Sequence, residues 1–256
     1  MDPQAAAKRA AAEAACEHVK DGMIVGLGTG STAAHAVRHL GALAKAGVRI
    51  RGVPTSEATA KLAREVGIPL LDINDVETID VTLDGADEVA PKFDLIKGLG
   101  GALLREKVVA SISQKVVIMI DEGKVVQKLG TRAPVPVEVL PFGWRHVERR
   151  LLREGMRPML RAKDGRPVLT DNGNLVLDLQ FPNGIEGARV LEGHLNNIPG
   201  VVENGLFIAL ATHVVVGDEK GGHRWLDKAK PPMPAKDKLA PDDAVTLARL
   251  GRGKGT

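Results

Sequence analysis

The chain has 256 residues, 44% of them hydrophobic and 26% charged, with a net charge of +3, a balance that excludes an intrinsically disordered protein. No apolar run nears the ~18 residues of a membrane span, the single cysteine, Cys16, cannot form an internal disulfide, and no Cys/His cluster has zinc-ligand spacing. The pI of about 9.0 has a local origin, because residues 220–256 hold nine Lys/Arg against four Asp and the rest is close to neutral. With four Phe, two Trp and no Tyr to stack on bases, nucleic acid is not an expected partner. The first twenty residues carry charges throughout and lack the apolar core of a signal peptide. A cytoplasmic protein with no membrane partner is expected.

In chain order, residues 5–19 are alanine-rich and read as a helix, and Asp21-Gly22 turns the chain into the apolar run 23–27. A helix follows over 31–45 and a strand over 48–53. Thr55-Ser56 can cap a helix ending near Val66, with Glu57 in its first turn. Strands are expected at 69–73 and 79–83, a helix at 102–113 and a buried strand at 116–120. Short apolar strands joined by helices predict an α/β fold with a mostly parallel sheet flanked by helices. After Pro134 and Pro136 the order changes to strand (135–140), helix (144–154), strand (156–161), strand (174–179), helix (186–197) and strand (201–210). This is the β-α-β-β-α-β order of a ferredoxin-like α+β unit, with Asp171-Asn172-Gly173 turning between its central strands. A strand over 213–216 could return to the first sheet. The expected organisation is an α/β domain of residues 1–132 plus 207–219, an inserted ferredoxin-like domain over 133–206, and a Pro/Lys/Gly-rich basic tail over 220–256, read as a solvated, flexible extension.

Two loops carry the chemistry. Gly26-Leu27-Gly28-Thr29-Gly30-Ser31-Thr32 follows the first strand and opens a helix, whose free N–H groups suit an anion. No lysine precedes Ser31, so this is not a Walker A loop. Serine also stands where the dinucleotide fingerprint needs its third glycine, and no acid follows the second strand. Phosphate binding without a nucleotide remains, beside the alternative of a plain strand–helix turn; Thr55-Ser56 at another strand end adds hydroxyls and favours the first.

The second loop, Asp84-Gly85-Ala86-Asp87-Glu88, sets three carboxylates in five residues, as a turn or as an acid–base cluster. Lys97-Gly98-Leu99-Gly100-Gly101 then supplies a cation and a glycine loop that opens another helix. On that helix Leu104, Val108 and Ile112 are expected to form the core stripe. Glu106 lies about 200° around from Leu104, in the first turn, where a carboxylate is favoured as the anion. An ordinary pKa of about 4.3 predicts that it is ionised at neutral pH, either as a solvated surface group or as a base. Together these groups describe a site for a small phosphorylated compound, with phosphate donors at one end and proton-transfer groups at the other, and with no metal or redox cofactor.

The segments GLGTGSTA, TSEAT, DGADE and KGLGGALLREK, and further on TDNGN and NNIPGVVENGLF, closely resemble ribose-5-phosphate isomerases of the A type over about residues 4–219. The resemblance implies the same α/β fold with a ferredoxin-like insertion. It implies interconversion of D-ribose 5-phosphate and D-ribulose 5-phosphate in the non-oxidative pentose phosphate pathway, without metal or cofactor, by a homo-oligomer (dimer or tetramer). By the same resemblance Glu106 is the general base between C1 and C2, Asp84 and Asp87 bind the sugar and help open its ring, and Lys97 stabilises the enediolate. Thr29, Gly30, Ser31 and Thr32 match the substrate-binding turn. Gly85 and Ala86 between the acids, Gly98, Leu99 and Gly100 after the lysine, and Lys124 complete the implied binding set. Leu99 departs from the family, which commonly has glycine there, so either the position needs no positive φ or the loop is rearranged. The other ribose-5-phosphate isomerase family uses a catalytic cysteine, whereas Cys16 is expected to be a packed residue. Two other classes share related folds. A phosphosugar-sensing module of a transcription regulator would need a DNA-binding domain, for which the 22 residues before the first strand are too few. An amino-sugar-phosphate isomerase/deaminase or a CoA transferase fits the paired DGAD and KGxGGALxREK motifs less well.

Overall fold

The structure, a computed structural model, describes residues 2–228. Its main sheet contains β1 (Ile24–Leu27), β2 (Arg51–Pro54), β3 (Val81–Gly85), β6 (Val116–Asp121), β14 (His213–Gly217) and β15 (His223–Trp225), in the order β15-β14-β6-β3-β1-β2. All neighbours pair in parallel except β15, which runs antiparallel to β14. The flanking helices are α1 (Pro3–Cys16), α2 (Ser31–Lys45), α3 (Glu57–Val66) and α4 (Leu103–Ser111). β6 is apolar on both faces, as a strand covered on two sides must be. Val117 and Met119 join the core under α1 and α2, while Val116, Ile118 and Ile120 pack with Ala110 of α4 on the other. α1 buries seven alanines and Cys16; these small side chains let it lie close to the sheet. Burial, with Glu13 adding to it, pushes the Cys16 thiol up to about 12, as suits a packed residue.

A second, antiparallel sheet holds β7 (Val135–Val139), β8 (Pro158–Leu160), β11 (Leu175–Leu179) and β12 (Val201–Asn204), in the order β12-β7-β11-β8, with α5 (Trp144–Arg153) and α6 (Ala188–Asn196). That strand order, with these helices, is the ferredoxin-like arrangement. Alternate residues Val135, Val137, Val139, Leu175, Leu177 and Leu179 form its core with Leu151 of α5 and Leu195 of α6. Three short strands, β4 (Glu88–Val89), β5 (Leu95–Ile96) and β13 (Leu206–Phe207), form a third sheet, and β9 (Ala162–Lys163) with β10 (Arg166–Pro167) make an exposed hairpin.

Three expectations change. Residues 69–73 contribute one parallel bridge, Gly52 with Leu70, before a 3-10 turn, rather than a strand. The strand expected over 201–210 is broken after Asn204, whose Oδ1 accepts the Leu206 N–H at 3.0 Å and redirects the chain into β13. The first part of the expected tail is also structured. Val215 pairs with Trp225, and Lys228 Nζ donates to the Ala211 carbonyl at 3.3 Å. β15 is exposed along its length, so backbone pairing holds it and no hydrophobic pattern announces it. Residues 229–256, the remainder of that tail, lie outside the described residues. Among the described residues no helix is long and apolar enough to cross a membrane.

Candidate active site

The carboxyl ends of β1 and β3 bring the two halves of the site together. A Cβ on Gly28 would stand 2.2 Å from Asp84 Oδ1, so only glycine permits this approach. Asp84 Oδ1 accepts the N–H groups of Thr29 at 3.2 Å and of Gly85 at 2.8 Å. Gly30, at a φ of 107°, then turns the chain into α2, whose first turn no side chain caps. Its N–H groups are left for an anion.

The Thr55-Ser56 hydroxyls, expected as ligand groups, face the protein instead. Thr29 Oγ1 lies 2.7 Å from Thr55 Oγ1 and donates to Ser56 Oγ at 2.9 Å. Thr59 Oγ1 donates to the Gly28 carbonyl at 2.9 Å, and Ser56 Oγ caps α3 by accepting the Thr59 N–H at 3.1 Å. Thr55, Ser56 and Thr59 are buried; they hold the Thr29 turn in place.

The three acids of DGADE have separate tasks. Asp84 packs beneath the site, and Asp87 Oδ2 accepts the Leu99 N–H at 3.0 Å. Glu88 is fully buried and accepts the N–H groups of Gly130 (2.6 Å), Ala133 (2.8 Å) and Arg132. Backbone donors satisfy Glu88, so it needs no cation.

Lys97, at the end of β5, is 3% exposed. Its Nζ lies 2.9 Å from Asp84 Oδ2 and 3.3 Å from Glu106 Oε2, and donates to the Gly85 carbonyl at 2.6 Å. The Phe207 ring centroid is 5.4 Å away. Burial pulls this ammonium down, but Asp84 and Glu106 more than offset it and hold it above its ordinary range.

Glu106 corrects two expectations. The stripe expected from Leu104, Val108 and Ile112 is not the buried face of α4; Leu103, Glu106, Val109 and Ala110 are buried, and Val108 is 43% exposed. A polarity pattern assigns a glutamate to solvent, whereas here Lys97 receives it inside. The charge state differs as well. Burial, then the nearby Asp84 carboxylate, pushes Glu106 up to about 8, and Lys97 offsets only part of that. Oε2 is within ion-pair distance of Lys97 but lacks an aligned hydrogen bond. Desolvation therefore outweighs the helix N-terminus, and the group keeps its proton at neutral pH. Burial raises Asp84 too, against Lys97 and its two backbone donors.

A cavity of about 170 Å³ opens over these groups. Thr29, Gly30, Ser31, Thr32 and Lys124 line one part, and Gly85, Ala86, Asp87, Lys97, Gly98, Gly100 and Glu106 another. Asp84 and Leu99 stand just outside the lining. Leu99 is 43% exposed and avoids the left-handed region, which Gly98 (φ 104°) and Gly101 (φ 79°) occupy. Lys124 is half-buried and makes no ion pair among the described residues.

Two contributions lie outside the sequence motifs. Gln4 and Lys8 of α1 line the cavity; their i, i+4 spacing, which puts both on one helix face, is the only signal the sequence carries. Arg161, after β8, donates to the carbonyls of Gly98 (2.9 Å) and Leu99 (3.0 Å) while pairing with Asp178 at 2.9 and 2.5 Å. No local pattern marks it. Among the described residues no group of three or more His, Cys, Asp or Glu could hold a metal ion.

The family model of ribose 5-phosphate isomerase A (phosphoriboisomerase A) matches residues 51–221. A ribose-5-phosphate isomerase A of Gloeobacter violaceus is 50% identical over 215 residues, 84% of this chain and 93% of that protein. The solved ribose 5-phosphate isomerase A of Methanocaldococcus jannaschii is 43% identical, with a TM-score of 0.81 over 86% of this chain and 98% of that one. A solved D-ribose-5-phosphate isomerase in complex with phospho-erythronic acid is 41% identical, with a TM-score of 0.82 over 86% and 97%.

Proposed function

The chain belongs to the ribose 5-phosphate isomerase A family and interconverts D-ribose 5-phosphate with D-ribulose 5-phosphate, and from that premise we propose that Glu106 is the base that moves the proton. The observation that carries this reading is one buried ammonium, Lys97, held 2.9 Å from Asp84 and 3.3 Å from Glu106 at the edge of a cavity. The phosphate sits against the uncapped first turn of α2, with Lys124 and Lys8 supplying charge. Asp87 holds the sugar hydroxyls and assists ring opening, with Asp84 beneath it fixing Lys97, and an aldehyde is left at C1. The carbonyl makes the C2–H bond acidic. Glu106, as the carboxylate, takes the C2 proton, and the C–H electron pair moves to form the enediolate with its charge on O1. Lys97 stabilises that oxyanion. Glu106 then returns the proton to C1, while Asp87 passes the O2 hydroxyl proton to O1, which leaves the ketone at C2.

Two carboxylates in unlike surroundings divide the work. Asp84 has Lys97 and two N–H donors, whereas Glu106 has Lys97 alone, and such separation suits one group to exchange protons. The relative solved with phospho-erythronic acid supports this reading, since a planar carboxylate on a phosphorylated chain resembles an enediolate. The same reading places the enzyme in the cytoplasm and in the non-oxidative pentose phosphate pathway, acting without metal as a homo-oligomer. The lone buried cysteine agrees with a reducing compartment. Ketose formation from ribose 5-phosphate, measured with a chelator present and no nucleotide, tests it. Full turnover is expected; dependence on an added metal would overturn the metal-free mechanism.

A further inference from the structure

The turn Thr170-Asp171-Asn172-Gly173-Asn174 does not line the cavity, yet it reaches the helix that carries Glu106. Its order comes from within the small sheet. Glu138 of β7 is fully buried, and its Oε1 accepts from Thr170 Oγ1 (2.8 Å), Asn172 Nδ2 (3.1 Å) and Asn174 Nδ2 (2.9 Å). The Gly173 N–H closes the turn on the Thr170 carbonyl at 2.9 Å. With Nδ2 committed to a carboxylate, the Asn172 amide presents Oδ1 on its other side, where it accepts Arg105 Nε at 2.9 Å.

Arg105 immediately precedes Glu106 in the first turn of α4. Its remaining donors reach Glu57 Oε1 at 2.8 Å and the Asp171 carbonyl at 3.3 Å. Asp171 Oδ2 in turn accepts the N–H of Glu57 at 2.8 Å, at the start of α3. One turn of the small sheet thus ties down the first turns of both helices. Ser56, the N-cap of α3, and Thr59 in its first turn hold the Thr29 turn; α4 carries Glu106. On the far side of Glu106, Lys107 donates to Glu203 Oε1 and the Asn204 carbonyl, both at 2.7 Å. The glutamate is therefore flanked by two side chains anchored in the small sheet, which block rotation of α4 about its axis.

We propose that Arg105 is a positioning residue for Glu106, and that Asn172, set by Glu138, is its anchor. The proposal rests on Glu106 being the base. Proton transfer needs that carboxylate within hydrogen-bond reach of C2, and a displacement of about 1 Å costs on the order of 100-fold in rate. The inserted sheet then has a direct part in the chemistry without contributing a group to the cavity.

The test compares Arg105→Ala, Asn172→Ala and their double variant with Glu106→Gln, reading kcat, KM for ribose 5-phosphate, inhibition by inorganic phosphate and the melting temperature. Each single variant is expected to stay folded and lose roughly 10- to 100-fold in kcat. KM and the phosphate inhibition constant should stay within about twofold, because Asp171 Oδ2 still holds the Glu57 N–H at the start of α3 in both variants and with it the Thr29 turn. The double variant should lose no more than the more impaired single variant does, as groups acting in one chain do. Arg105 is only part-buried, its side chain 33% exposed, so millimolar guanidinium ion should restore activity to Arg105→Ala and none to Glu106→Gln. Single variants that keep about half of wild-type kcat, beside an inactive Glu106→Gln, would overturn the clamp and leave the base standing. So would a loss that follows the unfolded fraction, or a folded Arg105→Ala that guanidinium does not rescue. An active Glu106→Gln would instead overturn the base.

Discussion

Glu106 keeps its proton because desolvation costs its carboxylate more than Lys97 returns at 3.3 Å. That has a kinetic consequence with a definite sign. A base works only when ionised, and with its pKa at about 8 only about a tenth of the free enzyme is competent at pH 7. kcat/KM, which reports the free enzyme, should rise about tenfold per pH unit below that value and level off above it. The substrate's second phosphate ionisation, near pH 6, gives a separate break, which a phosphonate analogue would move and the Glu106 break would not follow. A profile flat from pH 5 upward would mean the base is ionised throughout. Leucine at position 99 is explained at the same scale: Gly98 and Gly101 take the positive-φ positions, so a side chain between them adds no strain.

α4 shows what a sequence pattern can and cannot settle about an element. Its existence was legible from the glycine loop and the apolar residues that follow, but its orientation was not. Leu104, Val108 and Ile112 look like a core stripe, yet Val109 is 2% exposed and packs with Val53 and Ile79. Val108→Ser should therefore change stability by less than about 0.5 kcal/mol, and Val109→Ala should cost about 2 kcal/mol from two lost methyls and the void they leave. Equal losses in urea melts would restore the expected stripe. α2 was legible in full because its glycine start and amphipathic spacing agree over 15 residues. The two-residue strands β4, β5 and β13 are too short to show a period. In the site, the acids, the lysine and the glycine turn were legible because each lies in a compact motif. Arg161 and the Glu138–Asn172 pair were not, because their partners lie far off in the chain.

For the whole molecule, the two antiparallel and parallel sheets are joined where chemistry is needed: Arg161 grips the glycine loop, while Arg105 and Lys107 anchor α4. Deleting 229–256 leaves every cavity and sheet residue among the described residues in place, and kcat should be unchanged. Deleting from 220 also removes β15 and bares the edge of β14. That variant should melt about 5 °C lower and associate through the uncovered strand. A lowered kcat for the shorter deletion would place a functional group beyond residue 228, and identical melting of the two would deny β15 its role at the sheet edge.

The base itself is tested most directly by following hydrogen exchange during turnover in heavy water, with wild type beside Glu106→Gln. General-base catalysis contributes about 10²- to 10⁴-fold, so the variant should lose that much in kcat, keep its binding of ribose 5-phosphate, and stop exchanging the C2 hydrogen with solvent. If Glu106→Gln kept more than about a tenth of wild-type kcat and went on exchanging that hydrogen, the proton would be moving through another carboxylate, with Asp84 and Asp87 the nearest.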